Sequence, residues 1–393
     1  MDQQQYIISK FEDLFQLNQT YHLNISEKWM QDVISCIYQY GFEIPSDVQK
    51  NGIGCILSGK DCIIQAKSGT GKTATYLLGA ILQLDLKVVN QPQILCLVPT
   101  RELAVQIYQI VQDLFSDLFI KENIYSVLLI GGEYHSRKSS IYQNIIIATP
   151  GKLIDLLNTR NCLSLKSIKV LILDEGDELL SLNFRESVRQ VVTAISEKTQ
   201  ICFLSATLPE EILKICRLFI NHDSHKILVS ESELNHVGLI NHYYVNAEKE
   251  DDRAEILSDL LTSHWVNGKK TLVFFNSIIG LKKAYSEIKK KNILILNSHQ
   301  QNTERKEIVQ KFKKSEEHSV LFTTDLLSRG IDIVQITVVI NFDLPLEPEI
   351  YIHRVGRCGR FGKSGLAINL TSNVTKHLLD QLSRRYFLKI NPL

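Results

Sequence analysis

The stretch Ala66-Lys-Ser-Gly-Thr-Gly-Lys-Thr73 constrains the fold more than any other. An apolar run, Cys62-Ile63-Ile64, precedes it, and a helix-like run from Ala74 to Leu84 follows. A strand, a small-residue turn and a helix start together form a loop able to cradle phosphate. Gly69 and Gly71 let backbone N–H groups turn inward around oxyanions. Lys72 brings a point charge to the β- and γ-phosphates of a nucleotide, and the Thr73 hydroxyl can ligate Mg²⁺. The usual pattern opens with Gly where this chain has Ala66. A Gly-Lys-Thr also arises by chance in helix caps, so the remaining residues must decide.

A chain of 393 residues is too long for one ordinary domain and suits two of about 200 residues each. After the loop, short apolar runs alternate with helical stretches. The runs are 94–98, 126–130, 145–148, 170–173 and 201–204. They are nearly continuous Ile, Leu and Val, as strands buried on both faces are. Polar or small residues follow each run: Pro99-Thr100-Arg101, Gly131-Gly132, Thr149-Pro150-Gly151, Asp174-Glu175 and Ser205-Ala206-Thr207. In a doubly wound parallel sheet those ends line one ligand-binding crevice. A second series of strands is expected at 242–245, 271–275, 293–296, 320–322, 337–340 and 365–369. The polar segment 230–237 is the natural linker. Both halves therefore read as α/β, and only the first carries a phosphate loop.

Towards the N-terminus, Ser26 is placed to cap a helix running to Tyr40, with Trp29, Val33, Ile37 and Tyr40 at helical spacing and Gly41 ending it. Phe11, Leu14 and Phe15 suit a short amphipathic helix. The formal net charge is +1, so any surface for nucleic acid must be local. None of the eight cysteines makes a C-x-x-C pair, which argues against zinc, and most sit in apolar runs as small buried hydrophobes. This usage fits a reducing compartment. With a polar start and no apolar run of membrane-spanning length, the expectation is cytosol or nucleus.

Two clusters carry chemistry. Leu171-Ile-Leu-Asp-Glu175 is an apolar strand ending in two carboxylates. Downstream of a phosphate loop, the first suits a Mg²⁺ shell and the second can orient an attacking water. Loop and carboxylates together indicate a nucleoside triphosphatase. The second cluster, His353-Arg-Val-Gly-Arg-Cys-Gly-Arg360, lies in the other half. Alone it reads as a solvated basic turn. In a two-half protein with a phosphate loop, its arginines can close on the γ-phosphate.

In order, the segments Gly41-Phe42 to Gln49, Ala66 to Thr73, Pro99-Thr-Arg-Glu-Leu-Ala104, Gly131-Gly132, Thr149-Pro-Gly-Lys152, Asp174-Glu-Gly-Asp177, Ser205-Ala-Thr207, Val273 to Ser277, Thr323 to Asp332 and His353 to Arg360 resemble the DEAD-box RNA helicases. The resemblance spans roughly residues 40 to 362. Tyr38 to Glu43, Ser68 to Thr75, Asn341 to Pro345 and Tyr351 to Arg354 are most similar to the translation initiation factor 4A group.

This resemblance implies two RecA-like domains, each a mostly parallel sheet flanked by helices, joined by a short linker. The expected division is an N-terminal extension at 1–22, an ATP-binding domain at 23–229, the linker at 230–237 and a C-terminal helicase domain at 238–393. It implies ATP and Mg²⁺ as cofactors. Gln49 would select adenine, and Ser68, Gly69, Thr70, Gly71, Lys72 and Thr73 would hold the phosphates and metal. Asp174 would hold Mg²⁺ through water, with Glu175 as general base. Gly330 and Asp332 would lie near the ribose and domain interface. Arg357 and Arg360 would be arginine fingers. Asp177, Ser205, Thr207 and His353 would couple the halves. Single-stranded or short duplex RNA would be held by its backbone at Pro99, Thr100, Arg101, Gly132, Thr149, Gly151, Asn276, Arg305 and Thr324. A scaffold protein bridging both domains would be the partner, and no membrane is implied.

The implied function is an ATP-dependent RNA helicase of translation initiation in the cytoplasm. The alternative is an ATP-gated RNA clamp, or a helicase of splicing or RNA decay, with little processive unwinding. The chain departs from the family's pattern at several positions. Gly176 stands where Ala is usual, Lys67 where Gln is common, and Lys152 where Arg is usual. The adenine-stacking aromatic falls at Asn24, with Tyr21 the nearest upstream. The usual His-Gly is Asn297-Ser298, the following Gln-x-x-Arg element is Asn302 to Arg305, and Cys358 replaces a Gly.

Overall fold

A computed structural model describes residues 7–66, 69–132, 140–159, 162–228, 240–288, 293–297, 299–315, 319–325, 336–359, 364–386 and 388–393. The linker segment 230–237, Lys67, Ser68, Ser298, Gly330, Asp332, Arg360 and the Tyr21 side chain lie outside what is described. The chain divides into two compact units, Met1–Val229 and Ser230–Leu393.

In the first unit, α1 (Asp13–Tyr21), α2 (Glu27–Gln39) and α3 (Asp47–Leu57) lead into β1 (Cys62–Gln65) and α4 (Lys72–Ile81). There follow β2 (Ile94–Leu97), α5 (Arg101–Glu122), β3 (Ser126–Leu129), β4 (Ile145–Ala148), α6 (Pro150–Leu157), β5 (Val170–Leu173), α7 (Gly176–Leu179), α8 (Arg185–Ala194), β6 (Gln200–Ser205), α9 (Glu210–Cys216) and β7 (His225–Ile227). The strands form one parallel sheet in the order β3-β4-β2-β5-β6-β1-β7. Alternate side chains leave each strand on opposite faces. Thus Ile64, Cys96, Ile147, Ile172 and Leu204 pack under α1 to α5. Ile63, Leu97, Ile146, Leu171 and Phe203 pack under α6, α8 and α9.

The Ser26 hydroxyl accepts from Trp29 N, as expected of a cap. The helix stops at Gln39, one residue short of the expected end. Tyr40 is 46% exposed and stacks on Phe42 at 5.6 Å instead of entering the core. Ile8, Phe11 and Leu14, in the segment read as an extension, are fully buried in this core.

The second unit comprises β8 (Ile240–Ala247), α10 (Arg253–Leu260), β9 (Thr271–Phe274), α11 (Ile278–Ile288), β10 (Ile293–Leu296), α12 (Asn302–Lys314), β11 (Val320–Thr323), β12 (Val338–Asn341), α13 (Pro348–Val355), β13 (Gly365–Ser372), α14 (Lys376–Tyr386) and β14 (Ile390–Pro392). Its sheet is again parallel, in the order β10-β11-β9-β12-β13-β8-β14. Each expected strand is present, within a few residues at its ends. The edge strands β7 and β14 were not anticipated, since three residues each are too few to show a pattern.

Seven of the eight cysteines are buried, Cys36 is half-buried, and all are free thiols. Among the described residues, no helix is long and apolar enough to cross a membrane.

Candidate active site

Apart from Ser46 and Gln49 at the start of α3, the candidate site residues of the first unit lie at or beyond the C-terminal ends of strands. The four-residue strand β1 is wholly buried and delivers the chain to the loop. Gly69 (φ 81°) and Gly71 (φ 100°) occupy the left-handed region, where an L side chain is strained. The N-terminus of α3 braces the turn. The Ser46 hydroxyl donates to the Thr70 carbonyl at 2.7 Å. A Cβ on Gly71 would lie 2.8 Å from Gln49 Nε2 and 2.9 Å from Ser46 Oγ. Gln49 is buried, and its Oε1 accepts from Ser46 N at 2.8 Å. Its two amide protons are the groups left to read a ligand.

Lys72 opens α4 and is 7% exposed. Its Nζ has no hydrogen-bond partner among the described residues. Burying an ammonium without a hydrogen-bond acceptor costs several kcal/mol; the charge of Asp174 nearby offsets part of that cost, and an anion at the loop offsets more. The residues present therefore fit a phosphate-bearing ligand. Thr73, the next residue, is half-buried.

The carboxylates stand at the end of β5, two strands from β1 in the sheet. Asp174 is 3% exposed. Its Oδ1 accepts from Glu175 N at 2.9 Å, and its Oδ2 accepts from the Tyr76 hydroxyl at 3.0 Å. Burial, aided by the Glu175 charge, pushes the Asp174 carboxyl up to about 6. The Lys72 charge and the two hydrogen bonds oppose that rise. A carboxylate so costly to ionise without a counter-charge is the chemistry of a cation ligand.

Glu175 holds φ +50°, a conformation unusual for a side-chain-bearing residue. Strain of this kind gathers at functional sites. It turns the chain into the short helix α7, where Asp177 Oδ2 accepts from Thr207 Oγ1 at 2.5 Å. The Ser205 hydroxyl in turn donates to the Thr207 carbonyl at 2.6 Å. The structure thus joins Asp177, Ser205 and Thr207, three residues singled out in the sequence.

The candidate RNA contacts of this unit follow the neighbouring strands β2, β3 and β4. Thr100 caps α5 by accepting from Leu103 N at 3.3 Å, and Pro99 beside it is buried. The Arg101 guanidinium lies over Gly131, with Nη2 only 2.7 Å from where a Cβ would stand. Gly132 follows at φ 84°. Thr149 occupies the N-cap position of α6, and Gly151 is exposed with open space above it. Nucleotide and RNA candidates therefore form two groups along one sheet edge, over β1-β5-β6 and over β2-β3-β4.

In the second unit, Asn276 is bound internally. Its backbone N–H donates to Asp343 Oδ2, its Nδ2 to the Leu344 carbonyl at 2.9 Å, and its Oδ1 accepts from Arg354 Nη2 at 2.7 Å. Thr324 is half-buried after β11, and Arg305 is buried on α12. The altered element at 297–305 is knit to itself. Gln300 Oε1 accepts from Asn297 N, and Gln300 Nε2 donates to Glu304 Oε1. His353 and Arg357 are buried at the end of α13, and Arg357 Nε donates to the His353 carbonyl.

Two residues escaped the reading of the sequence. Tyr76 follows Lys72 by one helical turn, which was the available signal. Arg354 is fully buried, and its place in a cluster of three arginines did not show that it turns inward. Its Nε and Nη2 grip both oxygens of Asp325 at 2.6 and 2.8 Å.

Residues 46–215 match the DEAD/DEAH box helicase family, and residues 252–362 match the helicase conserved C-terminal domain. The chain is 39% identical over 367 residues to the ATP-dependent RNA helicase FAL1 of Candida albicans, covering 92% of this chain and 89% of the relative. The chain belongs to the DEAD/DEAH box helicase family. It is also 38% identical to eukaryotic initiation factor 4A-3 of Arabidopsis thaliana, over 92% of this chain and 86% of that protein.

Solved helicase structures are similar as well. S. cerevisiae Dbp5 bound to RNA and ADP BeF3 matches with a TM-score of 0.83 at 26% identity, over 98% of this chain and 96% of that one. Mss116p, lacking its NTE and C-tail and bound to ssRNA and AMP-PNP, matches at 0.84 and 25% identity, over 98% and 80%. The two parallel sheets are the RecA-like pair expected of this helicase family.

Proposed function

We propose that the chain is an ATP-dependent RNA helicase. It hydrolyses ATP to ADP and phosphate and locally opens short RNA duplexes, in the service of translation initiation. The observation that carries this reading is the buried Lys72 ammonium, without a hydrogen-bond partner among the described residues and near the β5 carboxylates, beside a second group of strand ends suited to RNA backbone. The 4A-type relatives favour the initiation role, and cytoplasmic residence follows from it.

In this reading Ser68, Gly69, Thr70, Gly71 and Lys72 bind the phosphates. Gln49 donates to the adenine edge. Thr73 and Asp174 hold Mg²⁺, Asp174 through water. The cation would neutralise charge on the phosphate oxygens. Glu175 orients the attacking water and takes its proton. Arg357 and Arg360 supply charge to the γ-phosphate, and Gly330 and Asp332 lie near the ribose. Asp177, Ser205, Thr207 and His353 transmit the nucleotide state between domains.

Pro99, Thr100, Arg101, Gly132, Thr149, Gly151, Asn276, Arg305 and Thr324 form the RNA track. Such contacts go to phosphate and sugar, so sequence preference is low. At Asn276 both the backbone N–H and the side-chain amide are engaged within the unit, so this residue shapes the loop beside the track. A protein scaffold bridging both domains completes the proposal. Dbp5, a solved relative, has been captured with Nup159 and Gle1.

The test is ATP hydrolysis by the purified chain with and without RNA. Stimulation by RNA irrespective of sequence supports the reading. No hydrolysis at saturating RNA, with ATP binding intact, overturns it in favour of a clamp.

A further inference from the structure

The loop helix α4 presents three side chains to the end of β5. Lys72, Thr73 and Tyr76 stand at positions i, i+1 and i+4, so Tyr76 shares a face with the first two. Tyr76 is 0% exposed, and its hydroxyl donates to Asp174 Oδ2 at 3.0 Å. The Thr73 side chain also interacts with the Tyr76 phenol. One buried hydroxyl on α4 therefore bonds directly to Asp174, the acidic residue assigned to the cation. Cys96, on the strand next to β5, is the other polar neighbour of that hydroxyl and is fully buried too.

Among the described residues the Asp174 carboxylate accepts two hydrogen bonds, one on each oxygen. The bond to Glu175 N is made within one residue of chain and fixes Oδ1 relative to the local backbone. It leaves the group free to rock about that point. The Tyr76 bond comes from a separate element, through a rigid ring with few rotamers. Two anchors from different directions define the plane of a carboxylate where one does not. A ligand carboxylate is commonly oriented by such an outer partner, and loss of the partner lowers metal affinity.

We infer that Tyr76 is a positioning residue for the nucleotide-associated divalent cation, holding the Asp174 carboxylate in the plane from which it serves the metal. This rests on the nucleotide-and-Mg²⁺ reading above. It adds a residue that neither the phosphate loop nor the acidic motif contains. Phe would fill the same space in the core, so packing alone does not call for the hydroxyl. What the oxygen adds is directed at Asp174.

The experiment uses the full chain and its Tyr76→Phe variant, which removes one atom and leaves the ring. Binding of methylanthraniloyl-ADP is titrated by fluorescence against Mg²⁺, and separately in EDTA. The expected result is a Mg²⁺ midpoint raised about tenfold, the effect of one buried hydrogen bond to a charged group. Affinity in EDTA is unchanged, and so is the cooperativity of unfolding. In an Asp174→Asn background the same change at Tyr76 has no effect on the midpoint, because Tyr76 acts through Asp174.

An unchanged midpoint in Tyr76→Phe, with wild type responding to Mg²⁺, overturns this assignment alone. An equal loss of affinity with and without Mg²⁺ does so too, since it marks a packing role. A shift that persists in Asp174→Asn shows that Tyr76 acts elsewhere and likewise overturns it. A wild-type chain whose nucleotide affinity ignores Mg²⁺ overturns the underlying reading as well.

Discussion

A methyl group on Gly176 would stand 2.3 Å from Cζ of Phe203, closer than any real contact allows. The departure from Ala in the acidic motif is therefore one half of a size exchange. The ring of Phe203 on β6 occupies the volume that a methyl on α7 would need. Space alone opposes a side chain at 176, because this glycine is not in the left-handed region. Gly176→Ala should cost about 1–3 kcal/mol by overpacking, despite the better helix propensity of Ala. Adding Phe203→Leu should recover most of that loss, so the pair is non-additive. Chemical unfolding of the four proteins of the cycle measures this. Additive losses would show that the two positions do not compete for the same space.

The same pair marks the limit of what the sequence discloses. Strand ends were legible because a strand buried on both faces is an unbroken apolar run, and the functional residues follow those runs directly. Lys72, Asp174 and Thr207 could be located in that way. Gly176 could be seen to depart from the pattern. Its cause, Phe203, lies 27 residues downstream on another strand, and only the fold brings them together. Tyr76 and Arg354 were hidden for a related reason. Their roles come from partners on other elements, and a side chain's identity does not state its burial. The edge strands β7 and β14 were too short for periodicity to register.

His242 supplies a pH-dependent prediction. It is 4% exposed on β8, with Nδ1 2.8 Å from the Tyr351 hydroxyl. Nε2 has no hydrogen-bond partner among the described residues. Burial pushes the imidazole down from 6.5 to about 4. Between those values the unfolded chain binds a proton that the native unit refuses, so stability falls with acidification. The contribution is fully present above pH 6.5 and is lost as pH falls towards 4. It amounts to about 3 kcal/mol over that interval. His242→Gln should flatten the wild-type loss of stability there, as read by urea unfolding at a series of pH values. A parallel loss in the variant would assign the acid sensitivity to other groups.

Arg354 should bind the second unit's loops into one body. From a fully buried position it donates to both oxygens of Asp325, to the Asp343 carbonyl at 2.6 Å and to Asn276 Oδ1 at 2.7 Å. Those acceptors follow β11, β12 and β9, three adjacent strands. The planar fork of arginine reaches all three, and the single ammonium of lysine does not. Arg354→Lys keeps the charge but removes the fork that holds Asp325, whose side chain is 37% exposed, and leaves the Asp343 carbonyl and Asn276 amide acceptors short of a donor, a loss of about 1–3 kcal/mol. On the proposed function, Asn276 and Thr324 flank the RNA track, so the variant should also weaken RNA binding. Nucleotide binding by the first unit should be untouched. Filter binding of a short single-stranded RNA, beside fluorescent-nucleotide binding, separates the two effects. Asp325→Asn should weaken RNA binding in the same direction and by less, because it leaves the arginine its carbonyl and amide partners. Equal losses of RNA and nucleotide affinity in Arg354→Lys would mean that the arginine supports the fold of the chain at large and does not set the loops of the RNA face.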